Sequence, residues 1–370
     1  MALLLRATCV SAMILAAQGR TSFIFMADTH MGEGCNSSFA GYQLNDTDCY
    51  SYQDLNNTVA KVNSVLEEFN VSMIIVGGDI TSSAQPTQFV QARRLFDKLA
   101  VPYLPVMGNH DVWSYNEVTG DETDTPVGDA LFGQTFADVF DRFRSRGGFR
   151  YPNTTVTNPQ HDCKSNFQNW ELKGSAMPGN SADLAPLTFI APDFNTRQKA
   201  PPPCPGHSPF GGCGVPGVAA LNNFSGGVMP WFESRLDALP TANVANRSVF
   251  WIIHQPFRCE FFVPSWYFCF NKTQKAGIRA VVDARPPSVR ASLWGELAGH
   301  QHRWWSGTAF DEPGWEHFAQ VENSAVKGDA KDHRMASSFQ VLTLEMGVVV
   351  EMTRFWTEGG VWQTNHTALV

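Results

Sequence analysis

No run of lysines and arginines occurs anywhere in the 370 residues, and the formal charge at pH 7 is −8. Binding to nucleic acid needs positive charge gathered on one face, so the sequence argues against such a partner. None of the eight cysteines stands in a Cys-x-x-Cys pair, which removes the usual structural-zinc pattern. The chain also lacks internal repeats, a coiled-coil heptad and a low-complexity tail. After the first 19 residues no apolar run is long enough to span a bilayer, and the C-terminal residues carry no hydrophobic tail for a lipid anchor.

The apolar run that is present, Met1 to Gly19, has Arg6 near its start and small residues around Ala17–Gly19. It is too short for a membrane anchor and reads as a secretory signal, leaving residues 20–370 as one domain. Nine Asn-x-Ser/Thr sequons, at Asn36, Asn45, Asn56, Asn70, Asn153, Asn223, Asn246, Asn271 and Asn365, point the same way, to a glycoprotein. Once Cys9 is removed with the signal, disulfides are the default for the other cysteines. Short-range pairing suggests Cys35–Cys49, Cys204–Cys213 and Cys259–Cys269, with Cys163 left over. A secreted or lysosome- or vacuole-lumenal monomer is expected, with no transmembrane segment after cleavage.

Apolar spacing gives the coarse organisation. Ser22–Met26, Met73–Val76 and Pro102–Met107 read as strands. Between them Leu55, Val59, Val62, Val65 and Phe69, then Phe89, Leu95, Phe96 and Leu99, recur at helical spacing. This β-α-β-α-β opening predicts parallel strands whose polar ends collect on one edge. From about residue 113 to 245 the pattern loosens around Pro201-Pro202-Pro203 and Gly211-Gly212, and reads as a loop-rich insertion with helices near Ala130–Phe143 and Trp231–Leu239. Ser338–Glu345 and Val348–Trp356 read as a hairpin.

Five polar clusters each follow a β-like run: Asp28-Thr29-His30, Gly78-Asp79, Gly108-Asn109-His110-Asp111, His254, and Gly299-His300-Gln301-His302. Each is weak alone, since a polar turn after a strand is ordinary. Together they supply the oxygen and imidazole donors that a polynuclear metal site needs. Their order resembles that of the calcineurin-like metallophosphoesterases, over most of the chain after the signal. The resemblance implies an α/β fold, a four-layer αββα sandwich of two mixed β-sheets flanked by helices. It also implies two divalent metal ions, with Zn, Mn and Fe all compatible with these donors. Asp28, His30, Asp79 and His302 would hold one ion; Asp79, Asn109, His254 and His300 would hold the other, with Asp79 shared. His110 would contact phosphate and protonate the leaving oxygen, while Asp111 either orients His110 or braces the turn.

Water between two cations ionises near neutral pH, so the expected nucleophile is a metal-bridging hydroxide. Asp79 is followed by Ile80-Thr81 rather than Arg-Gly, unlike the serine/threonine phosphatases. The first motif is Asp-x-His and no tyrosine lies between Asp79 and Pro102, unlike the purple acid phosphatases. The pattern looks more like the phosphodiesterase branch that includes acid-sphingomyelinase-like enzymes, so a small-molecule or lipid phosphoester is the expected substrate. The alternatives are a phosphomonoesterase on the same site, and a catalytically silent glycoprotein that uses the scaffold for binding.

Overall fold

The structure is a computed structural model, described here for residues 20–33, 49–113, 127–152, 155–159, 163–177, 184–197, 217–240, 247–259, 269–326 and 337–369. The expected opening is present: β1 (Arg20–Met26), α1 (Tyr50–Val65), β2 (Val71–Val76), α2 (Pro86–Phe96) and β3 (Tyr103–Pro105). The three strands pair in parallel. β1 and β2 show almost no in-out alternation because both faces are covered, as parallel strands require. α1 buries Leu55, Val59, Val62 and Val65, one stripe at helical spacing. α2 opens on Pro86, whose missing N–H is no loss in a first turn.

Next come α3 (Val127–Thr135) and α4 (Ala137–Arg144), where the spacing predicts one helix. The break falls at Phe136, just after Gly133 and Thr135, two weak helix formers. β4 (Phe149–Arg150), β5 (Thr155–Asn158), β6 (Cys163–Asn166), β7 (Trp170–Lys173), β8 (Thr188–Ala191) and α5 (Val228–Asp237) follow. The C-terminal part runs β9 (Val249–Ile252), α6 (Lys272–Asp283), α7 (Pro287–Ser292), β10 (Leu293–Ala298), β11 (Trp305–Thr308) and β12 (Ala319–Glu322). It ends with β13 (Ser338–Glu345), β14 (Val348–Glu358) and β15 (Val361–Ala368).

Two mixed sheets result, ordered β15-β14-β13-β1-β2-β3 and β11-β12-β10-β9-β8-β7-β4, as the four-layer reading expects. They pack face to face: the Phe23 ring of β1 meets Phe189 of β8 at 5.2 Å and Phe250 of β9 at 5.5 Å, both edge-on. The next residue on β9, Trp251, points to the other face and meets Phe232 of α5 at 5.0 Å. On the outer face of the first sheet, Tyr103 of β3 packs on Phe96 of α2. The order is therefore helix, sheet, sheet, helix.

The stretch read as a loop-rich insertion instead supplies β4, β7 and β8 to the second sheet, with β8 beside β9 in its middle. These strands are two to four residues long and β8 is buried throughout, so neither length nor alternation marks them. The predicted terminal hairpin is present, but it has a third strand, β15, on the sheet edge. Its polar, largely exposed residues gave no apolar signal. Of the predicted disulfides, Cys259–Cys269 is formed. Cys49 is also disulfide-bonded, while its expected partner Cys35, the Cys204–Cys213 pair and the signal segment lie outside the described residues. No helix among the described residues is long and apolar enough to cross a membrane.

A buried acid lies behind the second sheet. Glu296 of β10 is wholly buried; its Oε1 accepts the Phe257 N–H at 2.9 Å. Burial, with the Glu322 carboxylate adding to it, pushes its carboxyl well above the ordinary value of 4.5, against the Phe257 hydrogen bond and Lys275. The folded chain thus keeps a proton here that the unfolded chain loses above 4.5. The stability this proton contributes is complete below 4.5 and is lost as pH rises, by about 1.4 kcal/mol per pH unit until the folded group ionises. Glu296→Gln is expected to flatten that slope and melt above the native chain at neutral pH. Thermal melts from acid to neutral pH read this directly, and parallel curves for the two proteins would refute it.

Candidate metal centre

The carboxyl ends of β1, β2, β3, β9 and β10 deliver the polar clusters to one edge where the two sheets meet, the usual ligand edge of parallel strands. The backbone there is unusual. Asp28, His30, Asp79, His300 and His302 all have positive φ, from 41° to 73°, and make up half of the ten such non-glycine residues among those described. Left-handed backbone costs side-chain-bearing residues on the order of 1–3 kcal/mol each and persists only where neighbours over-determine it. Here the Asp28 N–H donates to Gly78 O and the His30 N–H to Asp79 O, each at 2.9 Å, and the His300 N–H donates to Asp28 Oδ1 at 2.8 Å. The effect is to turn consecutive side chains inward. Two glycines permit the approach: Gly78 has φ +98° and a Cβ there would lie 2.6 Å from His254 Nδ1, while a Cβ on Gly108 would overlap the Asp79 backbone.

Two donor groups form. In the first, Asp28, His30, Asp79 and His302 each bring one ligand atom within 4.8 Å of the others; in the second, Asp79, His254 and His300 do the same. Asp79 belongs to both. Its Oδ2 lies 3.4 Å from His30 Nε2 and 3.1 Å from His254 Nε2. His30 Nε2 and His302 Nε2 face each other at 3.0 Å, and His302 Nε2 lies 3.6 Å from Asp28 Oδ1. Asn109 joins the second group through Oδ1, 3.1 Å from His254 Nε2. His254 Nδ1 donates to Gly77 O at 3.0 Å, which leaves Nε2 to face the cluster.

Charge in the cluster is strongly coupled. Burial alone would raise the Asp79 carboxyl, yet the His254, His110 and His30 rings hold it well below its usual range. Burial works to lower His254, but Asp79 beside it raises the ring to about 9. Burial and the neighbouring His254 push His300 down to about 3. Buried carboxylate and imidazole groups aimed at shared points are a donor set for divalent cations, which would replace the proton His254 otherwise carries. The residues fit the pair of divalent ions.

His110 and Asp111 stand beside the cluster in different ways. His110 is partly exposed; its Nδ1 donates to Ser82 O at 2.7 Å, its backbone N–H donates to Asp79 Oδ1 at 2.9 Å, and its ring lies 4.7 Å from that of His30. The Asp111 carboxylate is fully buried. It accepts the N–H groups of Ile80, Thr81 and Gly108 and the Thr81 hydroxyl, at 2.8–3.1 Å. These four donors, from two turns, tie it to the ends of both β2 and β3.

The family model described as calcineurin-like phosphoesterase matches residues 21–187, just under half of the chain. Its activity is metal-dependent phosphoester hydrolysis, with two divalent ions as cofactor. No curated protein matches the chain. Among solved structures, a purple acid phosphatase from yellow lupin (Lupinus luteus) seeds aligns over 95% of this phosphoesterase at 11% identity with a TM-score of 0.50. The aligned part is 54% of the lupin chain, so this phosphoesterase spans about half its length, and the likeness is one of fold. A dimetal phosphatase from Danio rerio aligns over 95% of this chain and 99% of its own, at 12% identity and a TM-score of 0.47.

Sequence reasoning missed the residues behind the phosphoesterase site. Asp193, Asn195 and Arg197 follow β8 and are buried, as is Gln255, next to His254. The signal was available, because Asp193-Phe194-Asn195 is another polar cluster after an apolar run. It went unread because the whole stretch looked like an insertion.

Proposed function

We propose that residues 20–370 form one catalytic domain of a secreted glycoprotein that hydrolyses phosphodiesters. Asp28, His30, Asp79 and His302 hold one cation and Asp79, Asn109, His254 and His300 the other. The observation that carries the reading is the position of Asp79, whose Oδ2 faces His30 on one side and His254 on the other at 3.4 and 3.1 Å. When bound, a divalent pair supplies Lewis acidity toward phosphoryl oxygens and lowers the pKa of water. Ligand chemistry admits Zn, Mn or Fe.

The chain's own groups do the rest. His110, anchored through Nδ1 to Ser82 O, keeps Nε2 to deliver a proton to the leaving oxygen. Asp111 holds the turn that carries both Asn109 and His110. Buried walls around Asp28, Asp79 and His300 keep bulk water off the reacting groups. Export rests on the 1–19 signal and on sequons that include the exposed Asn70, Asn223, Asn271 and Asn365.

The discriminating experiment loads the full chain with Mn²⁺ or Zn²⁺ and compares bis(p-nitrophenyl) phosphate with p-nitrophenyl phosphate. A diesterase is expected to favour the diester in kcat/KM by at least about tenfold, about 1.4 kcal/mol of transition-state preference. The opposite ratio makes it a phosphomonoesterase. A metal-free, inactive protein would leave only the binding role.

A further inference from the structure

Asn195, 1% exposed after β8, hydrogen-bonds the two chain segments that carry Asn109 and His254. Its Nδ2 donates to Met107 O and to Asp193 Oδ1, each at 2.8 Å, and its Oδ1 accepts Gln255 Nε2 at 2.8 Å. Met107 comes two residues before Asn109, and Gln255 directly follows His254. Asn109 Oδ1 and His254 Nε2 in turn lie 3.1 Å apart. A closed ring results, from Asn195 through Met107–Asn109, across to His254–Gln255 and back. Met107 leaves the end of β3 in the first sheet and Gln255 leaves β9 in the second, so this amide spans the sandwich at the donor cluster.

Only an amide satisfies all three partners. A flipped amide would set its oxygen against the Met107 carbonyl and the Asp193 carboxylate, so the partners fix its orientation. Asp193 is fixed in turn: its Oδ2 accepts the Gln168 N–H at 2.9 Å and Arg197 Nη2 at 2.7 Å, and its own N–H donates to Asn169 Oδ1 at 2.8 Å. The ligands next to these bonds in the chain are Asn109 and His254, both of the second group.

We infer that Asn195 is a positioning residue that sets the separation of Asn109 and His254, and thereby the affinity of the second cation site selectively. The inference rests on the ligand assignment proposed above. It acts through Met107 and Gln255, with no contact to substrate. Groups that orient metal ligands in this way typically account for ~10- to 100-fold in metal affinity.

The test titrates the metal-free full chain with Mn²⁺, following free ion by electron paramagnetic resonance and bound ion by metal analysis. The native chain is expected to take two ions. Asn195→Ala should keep one at native affinity and bind the second ~10- to 100-fold more weakly. Its kcat should fall at subsaturating metal and recover at high Mn²⁺, with KM for the diester little changed. Gln255→Met, which keeps side-chain length and leaves the Asn195–Met107 bond, should show a smaller selective loss and decides the matter if Asn195→Ala does not fold. Unchanged binding of both ions in the folded variants overturns the inference. Equal weakening of both ions also overturns it, as mere loosening of the core. A native chain that binds fewer than two ions would overturn the ligand assignment itself, and this inference with it.

Discussion

Asp79→Asn is expected to remove both cations and to lower phosphoester hydrolysis by at least ~10³-fold, the scale of losing a preorganised electrostatic group and more. The replacement is close to isosteric. Its Oδ1 can still accept the His110 N–H, which Asp79 Oδ1 accepts at 2.9 Å, so the turn after β3 has a means to persist. What is lost is the negative charge at Oδ2, which faces His30 and His254 together. Among the described residues no other belongs to both donor groups. By contrast, His302→Ala removes a donor from the first group alone, and His300→Ala from the second alone. Each should leave one tightly held ion. The same substitution acts on the metal-free protein: the Asp79 carboxylate is the chief influence raising His254, and without it burial shifts the ring toward its neutral form. Metal analysis, activity and circular dichroism on the three variants separate these outcomes. An Asp79→Asn protein that folds and still holds two ions would sink the shared-carboxylate reading.

The parts legible in the sequence were those where a buried parallel strand stops and polar side chains begin. Asp28, Asp79, Asn109, His254 and His300 could be picked out because each closes an apolar run, and parallel strands carry such ends to one rim. Both sheets contribute, which no single run announces. β8 escaped notice because four buried residues have no period, and β15 because an exposed edge strand needs no apolar face. The positive φ values at Asp28, His30, Asp79, His300 and His302 were equally invisible. They arise from hydrogen bonds between segments up to 272 residues apart, such as His300 N–H to Asp28 Oδ1. Local propensity carries no trace of a conformation imposed from that distance. Asp111 shows the same limit: its hydrogen-bond partners are the N–H groups of Ile80, Thr81 and Gly108, which only the fold brings to it.

Arg197→Leu is expected to cost ~3–5 kcal/mol, the usual penalty for leaving a buried charge without its partner. The guanidinium is wholly buried between two carboxylates, with Nη2 2.7 Å from Asp193 Oδ2 and Nε 3.3 Å from Asp129 Oδ2, and it lies over the Phe167 ring at 4.8 Å. Leucine fills much of the space but sets Asp129 and Asp193 facing each other in a dry interior. For a chain of this length the loss corresponds to a melting temperature roughly 5 °C lower. The pH dependence has a definite sign. Burial raises Asp129 to about 6 from its ordinary 3.8, against the pull of Arg197, so its folded form holds a proton between those values. Removing Arg197 removes that pull and raises the group further. The deficit of the variant should therefore be largest above pH 7 and shrink on acidification, as the orphaned Asp129 carboxylate takes up a proton in the folded state. Arg197→Leu combined with Asp129→Asn should recover part of the loss, because the second change removes one of the two stranded charges. A pH-independent deficit, or no recovery in the double variant, would mean that Arg197 acts by packing on Phe167 alone. Since Asp193 also accepts from Asn195, the same variant should weaken the second cation site, tying the stability of this buried ion cluster to the spacing of Asn109 and His254.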